Sequence, residues 1–168
     1  MLSWIALACL IGAVILLGML AATDIKTHLL PNEMVTGFAT LGMVFHLTTL
    51  ANFVPVENIA IGGAGGFLAL YIIRAVANKA YGQDALGLGD VKLIGAGGIW
   101  LGPDAIMLAM AVGALAALIH GAAYALVDAR KNKRKPDLMN LQIPAGPGFA
   151  VGLIICGIIQ FWAFRIQM

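Results

Sequence analysis

Charged residues are scarce in this sequence. Of its 168 residues 11% are charged and 61% are hydrophobic, and the formal net charge is only +2. A soluble globular domain carries about twice that charged fraction, and so small a positive excess gives no support for a nucleic-acid partner. The connections between apolar runs are far shorter than the roughly 50 residues of a small domain. The sequence therefore predicts a membrane protein that is embedded in a lipid bilayer.

Cysteine is scarce as well. The two cysteines, Cys9 and Cys156, both lie inside apolar runs, and their separation excludes a CxxC zinc or redox motif. Both are predicted to be small, buried hydrophobic residues. The sequence predicts no metal site and no cofactor.

Six apolar segments come near the length of about 20 residues that a helix needs to cross the hydrocarbon core. The first lacks the basic residues and the short apolar run of a signal peptide, so it is predicted to be a retained span. The predicted fold is therefore all-α, a polytopic membrane protein with about six transmembrane helices. The segments are residues 3–22, 33–54, 56–77, 88–102, 104–127 and 143–164.

Lysine and arginine are distributed unevenly between the two sides of this topology. Nine of the ten lie in or near alternate connections, and only Arg165 falls on the other side. The positive-inside rule then predicts that both termini lie outside and that the basic connections are cytoplasmic. The densest cluster, residues 130–135, is interpreted as a topology signal in preference to a lipid or partner site.

Small residues recur at helical spacing within the predicted spans. Such pairs let helices approach closely in lipid, where apolar surface alone gives little drive to associate. They predict a compact bundle and leave a homo-oligomer open. The pairs are Gly62 and Gly66, Gly98 and Gly102, and Gly148 and Gly152.

The most unusual acid is Asp90, which lies in the stretch 87–93 at the start of the fourth apolar segment. The apolar run after it, residues 91–101, has eleven residues and covers only about half of the hydrocarbon core. A carboxylate beside glycine-rich backbone at this depth is tolerated when it is buried in protein or faces a water-filled cavity. Asp90 is therefore a candidate functional residue. The alternative is that it merely caps the fourth helix.

A second acid, Asp24, is predicted to lie at the same depth. It follows the end of the first apolar segment. Asp24 is therefore predicted to lie at the cytoplasmic end of its helix, as Asp90 does. Taken alone, Asp24 could be a solvated residue at a helix end. The other six acids fit hydrophilic connections, outer turns or the first turn of a helix; they are Asp84, Asp128, Asp137, Glu57, Asp104 and Glu33.

Two neighbouring carboxyl groups can hydrolyse a peptide bond without a metal. Because they cannot both ionise comfortably, they share one proton and titrate as a coupled pair. One activates water as a base, while the other polarises the carbonyl group as an acid. Water can reach such a pair at the cytoplasmic edge of a helix bundle.

Three short motifs accompany these acids. Residues 87–93 read GLGDVKL, Asp24 is followed by Leu30-Pro31-Asn32, and residues 143–149 read IPAGPGF. The first two closely resemble the aspartate motifs of the type IV prepilin peptidases, and more widely of GxGD membrane aspartyl proteases; the third resembles the entrance to the last helix more loosely. The resemblance covers essentially the whole chain.

This resemblance implies that Asp24 and Asp90 form the catalytic pair of an aspartic endopeptidase. The implied substrate is a prepilin-like precursor, cut at the cytoplasmic face of the inner membrane after its short basic leader and before its hydrophobic helix. The longer family members carry an N-terminal region, often with paired cysteines, that is associated with methylation. The chain is therefore interpreted as a single peptidase domain, residues 1–168, without a methyltransferase region. It resembles the short, peptidase-only branch, such as the enzymes that serve Flp or tight-adherence pili.

Five residues of the motifs are expected to shape the site. Gly87 and Gly89 permit close approach of a backbone, such as an extended substrate segment. Pro31 fits a turn or a first helical position, and Asn32 is predicted to cap the second span. Lys92 is expected to extend toward lipid headgroups in preference to pairing with a carboxylate.

Two other functional interpretations remain open. In a small transporter or channel subunit, Asp24 and Asp90 would carry protons or bind a cation, and such acids are expected near the bilayer midplane. In a purely structural assembly protein, both acids would be dispensable.

Overall fold

The computed structural model describes residues 2–82, 84, 86–132 and 144–162. Within these residues the regular structure is helical, with no strand, so the predicted all-α fold is confirmed. Residues 133–135 of the basic cluster, Asp137 and Ile143 lie outside the described residues. The helices are α1 Leu2–Thr27, α2 Asn32–Thr48, α3 Val56–Tyr81, α4 Leu88–Asn132 and α5 Gly146–Phe161.

The apolar composition of the helices fits a membrane. Three described segments are long and apolar enough to cross one, Trp4–Thr27, Val56–Tyr81 and Leu88–Val127, and Gly146–Phe161 is a shorter apolar helix. Large hydrophobic side chains also cover the outside of the bundle, for example Leu118, which is 63% exposed. Helices that are hydrophobic all round are typical of membrane spans. The chain is therefore a multi-pass membrane protein.

Helix α4 is broken at Gly102. This residue has φ 74° and ψ −179°, a left-handed conformation that glycine adopts without steric cost. Pro103 follows, and it has no backbone N–H to continue the helical hydrogen bonds. The two halves of α4 correspond to the segments 88–102 and 104–127 that were predicted as separate spans.

The break frees backbone carbonyl groups, and polar side chains from other helices approach them. The Nε2 atom of the buried His46 lies 3.2 Å from the carbonyl oxygen of Trp100. The side-chain amide of Gln160 donates a hydrogen bond to the carbonyl of Leu101 at 3.1 Å. Buried carbonyl groups without partners are costly in an apolar setting, so these contacts stabilise the bent helix.

Helix α4 is the centre of the bundle. It packs against α2, α3 and α5, and α1 closes the bundle through contacts with α2 and α5. Glycines make the closest of these contacts: a Cβ atom at Gly98 would overlap the backbone of Gly62, and one at Gly152 would overlap the carbonyl of Ala109. The predicted packing role of these small residues is confirmed. Cys9 and Cys156 are both buried and free, also as predicted.

Several predicted span boundaries were wrong; α3, for example, ends at Tyr81 and not at residue 77. The first span was predicted to end at residue 22, but α1 continues to Thr27. The helix ends where His28 adopts φ 52° and its N–H bonds the carbonyl of Asp24 at 2.8 Å. The second span was predicted to reach residue 54, but α2 ends at Thr48. A turn with positive φ at Leu50 and Ala51 follows it.

Candidate active site

Asp24 lies in the last turn of α1 and points into the bundle. It continues a buried stripe of that helix formed by Ala13, Leu17 and Leu20, which share one face because their spacing is three or four residues. Only 5% of Asp24 is exposed. The extension of α1 beyond residue 22 therefore decides the orientation of this carboxyl group.

The N-terminus of α5 holds the Asp24 carboxyl group. The backbone N–H of Gly146, the first residue of α5, donates a hydrogen bond to Oδ2 of Asp24 at 3.0 Å. The positive end of a helix dipole favours a negative group at this position. A Cβ atom on Gly146 would lie 2.6 Å from the same oxygen, so a glycine is needed for this approach.

Asp90 lies in the first turn of α4 and is 6% exposed. The backbone of Gly87 hydrogen-bonds its carboxyl group, and the charge of Asp24 acts on it. Its Oδ1 atom is buried without a hydrogen-bond partner. The structure thus brings the two acids of the motifs together as a buried, electrostatically interacting pair, in which one oxygen of Asp90 is enclosed without a hydrogen-bond partner.

The glycines beside Asp90 have different surroundings. A Cβ atom on Gly89 would lie 2.8 Å from Cβ of Leu30, so the close approach at Gly89 is made by the chain's own α1–α2 connection. Gly87 is exposed, and a Cβ atom there would meet the Asp90 carboxyl group at 3.1 Å. Of the two glycines, Gly87 is the one open to an external segment.

Of the other three motif residues, only Asn32 departs from its expected role. Asn32 does not cap α2; it is the first helical residue, and Pro31 occupies the N-cap position with φ −60° and ψ 131°. Among the described residues Lys92 pairs with no carboxylate. Its Nζ donates a hydrogen bond to Oδ1 of Asn32 at 2.8 Å. The two motifs are thus joined to each other by a side-chain contact between α2 and α4.

Sequence reasoning missed a cluster of side chains behind the second motif. The Arg74 guanidinium donates one hydrogen bond to the carbonyl of Leu86 and another to Asp84, both at 2.8 Å, and the Asn78 amide bonds the same Asp84 oxygen at 2.8 Å. Leu86 directly precedes Gly87, so the cluster fixes the chain that enters the motif. The available signal was the helical spacing of Arg74 and Asn78 ahead of an acid in a short loop.

Gly146 was also not singled out. Its neighbourhood, residues 143–149, gave only a loose resemblance, and the contact with Asp24 joins residues 122 positions apart. Such a contact leaves no local pattern in a single sequence.

The sequence is similar to known proteins of one family. The model of the type IV leader peptidase family matches residues 9–122, a range that includes both aspartates. A prepilin leader peptidase/N-methyltransferase from Pectobacterium carotovorum subsp. carotovorum is 34% identical over 152 residues, covering 89% of this chain and 51% of the relative. A protein of the same name from Dickeya chrysanthemi is 37% identical over 117 residues, covering 66% and 41%. One from Neisseria gonorrhoeae is 35% identical over 117 residues, covering 70% and 40%.

The chain spans about half the length, or less, of the curated relatives it matches. No solved structure matches it.

Proposed function

Because the chain belongs to the type IV leader peptidase family, we propose that it is a membrane-embedded aspartic endopeptidase that removes the N-terminal leader from type IV prepilin-like precursors. The observation that carries this proposal is the buried pair of Asp24 and Asp90, contributed by α1 and α4. The transporter alternative would favour acids near the bilayer midplane, whereas these acids lie in the terminal turns of their helices. The described helices act as one peptidase unit in this proposal.

Each carboxyl group has a glycine backbone partner, Gly146 for Asp24 and Gly87 for Asp90. We propose different roles for the two acids because the second oxygen of Asp90, Oδ1, is buried without a partner. The N–H of Gly146 and the α5 N-terminus favour an ionised carboxylate at Asp24. Oδ1 of Asp90 receives no hydrogen bond and is the position for the proton that the pair shares. Asp24 then takes a proton from water as the water oxygen attacks the peptide carbonyl carbon. Asp90 gives its proton to the carbonyl oxygen.

The second half of the reaction restores the pair. The tetrahedral intermediate returns a proton to Asp90 as its carbonyl group re-forms, and the amine takes the proton held by Asp24 as the C–N bond breaks. The products are the free leader with a new carboxyl terminus and the mature chain with a new amino terminus. No covalent enzyme intermediate is formed.

We assign six membrane crossings to the proposed enzyme, with both termini outside the cytoplasm and the aspartates at the cytoplasmic face of the inner membrane. The break at Gly102 divides α4 into two halves, which supports counting it as two crossings. Helices α2 and α5, of 17 and 16 residues, extend about 25 Å each, close to the ~30 Å of a hydrocarbon core. The basic residues Lys26 and Lys79, in the last turns of α1 and α3, support the cytoplasmic assignment.

Cleavage in liposomes tests the proposed function. The purified chain is reconstituted with a synthetic precursor that has a short Lys/Arg-rich leader followed by about 20 apolar residues. We expect one cut between the leader and the apolar segment, identified by sequencing the new N-terminus. Failure of the folded protein to cut any precursor of this kind would overturn the proposal.

Alanine at Gly146 is expected to disturb the Asp24 carboxyl group directly. The added Cβ would lie 2.6 Å from Oδ2 and 3.0 Å from Cγ of Asp24, so the carboxyl group must move. A displacement of about 1 Å costs on the order of 100-fold in rate, and we expect kcat to fall by about that factor with a smaller change in KM. The matched control is Gly157→Ala, in the same helix, where an added Cβ meets no atom within 4 Å. Equal activity of the two variants would contradict the assignment.

Arg74 is expected to position the second motif. Arg74→Ala removes the hydrogen bond to the Leu86 carbonyl as well as the ion pair with Asp84, whereas Asp84→Asn leaves the Leu86 bond in place. A hydrogen bond from a charged donor contributes about 1.5–3 kcal/mol, while an exposed ion pair contributes at most about 1 kcal/mol. We therefore expect Arg74→Ala to lower kcat by roughly tenfold and Asp84→Asn to have little effect. The reverse order would show that the ion pair matters more than the backbone contact.

A further inference from the structure

A wide groove separates α2 from α3. The two helices follow each other in the chain, yet among their described residues they make no contact; each packs against α4 instead. The space between them has a volume of about 1000 Å³, and α4 forms its floor. The bundle is therefore open on this side.

The depth of the groove indicates the kind of molecule that fits it. On α2 its lining extends from Asn32 to Leu47, about 23 Å along the helix axis, which is most of a ~30 Å hydrocarbon core. A second cavity, of about 410 Å³ between α1 and α5, is lined on α1 only from Leu7 to Leu17, about 15 Å. The smaller cavity matches an acyl chain of one leaflet. The groove matches a segment that crosses the bilayer.

The surface of the groove suits a helix. Two small exposed residues of α3 line one side, Ala60 and Ala64, while Gly63 and Gly95 bring α3 and α4 close together beside the floor. In lipid, such residues let helix backbones approach each other closely.

Towards its outer end the groove is lined by His46, which is 2% exposed and whose Nδ1 atom has no hydrogen-bond partner. Because this nitrogen is enclosed, it adds no accessible polar group to the surface of the groove.

The inner end of the groove lies at the depth of the aspartates. Lys92 and Asn32 line it and are hydrogen-bonded to each other. Lys92 lies two residues after Asp90 on the same helix and therefore on the opposite side of it. The end of the groove is thus about 3 Å from Asp90 along the axis and about one helix diameter, ~10 Å, across it. An extended chain advances about 3.3 Å per residue. A few residues therefore connect a helix in the groove with a peptide bond at the pair.

We propose that the groove between α2 and α3 holds the apolar transmembrane helix of the precursor while the segment before it reaches Asp24 and Asp90. This inference rests on the proposed function, because the proposed occupant of the groove is the substrate of that function. Docking along the bilayer normal explains how a membrane enzyme selects a bond at the boundary between a polar leader and an apolar helix. The docked helix of the precursor determines the depth in the membrane at which the segment before it reaches the two acids.

Photo-cross-linking tests the occupant without requiring cleavage. A benzophenone amino acid is placed at Ala64, an exposed residue of the groove, in an Asp90→Asn background. The control position is Ala114, an exposed residue of α4 that does not line the groove. With the synthetic precursor in liposomes, we expect an adduct with the precursor at Ala64 in large excess over Ala114. Equal yields, or adducts at Ala64 only with lipid or with a second copy of the chain, would overturn the inference.

Kinetics with two substrates separate docking from chemistry. Ala64→Trp fills part of the groove, so we expect the KM for the full precursor to rise by about tenfold, equivalent to about 1.4 kcal/mol. A truncated peptide that ends shortly after the scissile bond should be cleaved at the same rate by wild type and variant, and Ala114→Trp should change neither substrate. Equal losses for both substrates, or no loss for either, would contradict docking in the groove. If wild type cleaves neither substrate, the proposed function fails. The cross-linking result then still shows whether the apolar helix of the precursor binds in the groove.

Discussion

Replacing either Asp24 or Asp90 by asparagine is expected to reduce cleavage of a prepilin-like precursor by roughly 10⁴-fold or more. Asparagine has nearly the same shape as aspartate, but its amide can neither accept the proton of water as a carboxylate does nor donate a carboxyl proton. Both positions are almost completely buried, so bulk water cannot replace the lost group. Because the two acids act as one unit, the double variant should lose no more activity than either single variant.

The structure of these variants should be preserved. Each substitution removes a buried group that can carry charge and replaces it with a neutral group of equal size, so the melting temperature in detergent should remain close to that of wild type. Asp104→Asn is the matched control, since Asp104 is an exposed acid just after the break in α4. Near wild-type turnover in either Asp24→Asn or Asp90→Asn would remove that residue from the catalytic pair.

The second large effect is expected on stability, at Gly98. A Cβ atom there would overlap the backbone of Gly62, and the nearest atoms also include the backbone nitrogen of Gly63 at 2.8 Å. Backbone atoms cannot move aside as a flexible side chain can, so Gly98→Ala must push α3 away from α4. Overpacking of this kind costs about 1–3 kcal/mol or more. We expect a clear fall in the melting temperature of the purified protein.

A neighbouring glycine provides the control for Gly98. Gly65 lies on α3 beside the same interface, but a Cβ atom there meets nothing within 4 Å. Gly65→Ala should therefore be neutral or stabilise the helix by up to about 1 kcal/mol. A similar fall in melting temperature for both variants would show that the contact between α3 and α4 is looser than the structure indicates.

The sequence allowed the helices and the acid pair to be predicted because both depend on local patterns. Apolar runs of fixed length indicated the spans, and the motif at 87–93 marked Asp90. Helix ends were predicted less well. Hydrophobicity falls after residue 22, but α1 ends only where His28 adopts a left-handed backbone conformation. Because the helix continues to that point, the side chain of Asp24 lies on its buried face.

The remaining site residues could not be predicted because their partners are distant in the chain. Gly146 donates a hydrogen bond to Asp24, which is 122 residues earlier in the chain, and Lys92 donates one to Asn32, which is 60 residues earlier. Asn32 has the composition of an N-cap, yet its side chain is engaged by Lys92, and Pro31 takes the cap position. A tertiary hydrogen bond has overridden a local preference.

The shared site of Asp24 and Asp90 is tested most directly by the proximity of these two proposed catalytic positions. In a Cys9→Ala, Cys156→Ala background, Asp24→Cys is combined with Asp90→Cys and treated with a bifunctional thiol reagent only a few ångströms long, followed by mass spectrometry. A comparison pair combines Asp24→Cys with Asp104→Cys, which lies just beyond the break at Gly102, at the far end of a half-helix that rises about 18 Å from Asp90. The account predicts an intramolecular bridge in the first pair and none in the second. No bridge in the first pair, with both thiols shown to react singly, would contradict a shared site.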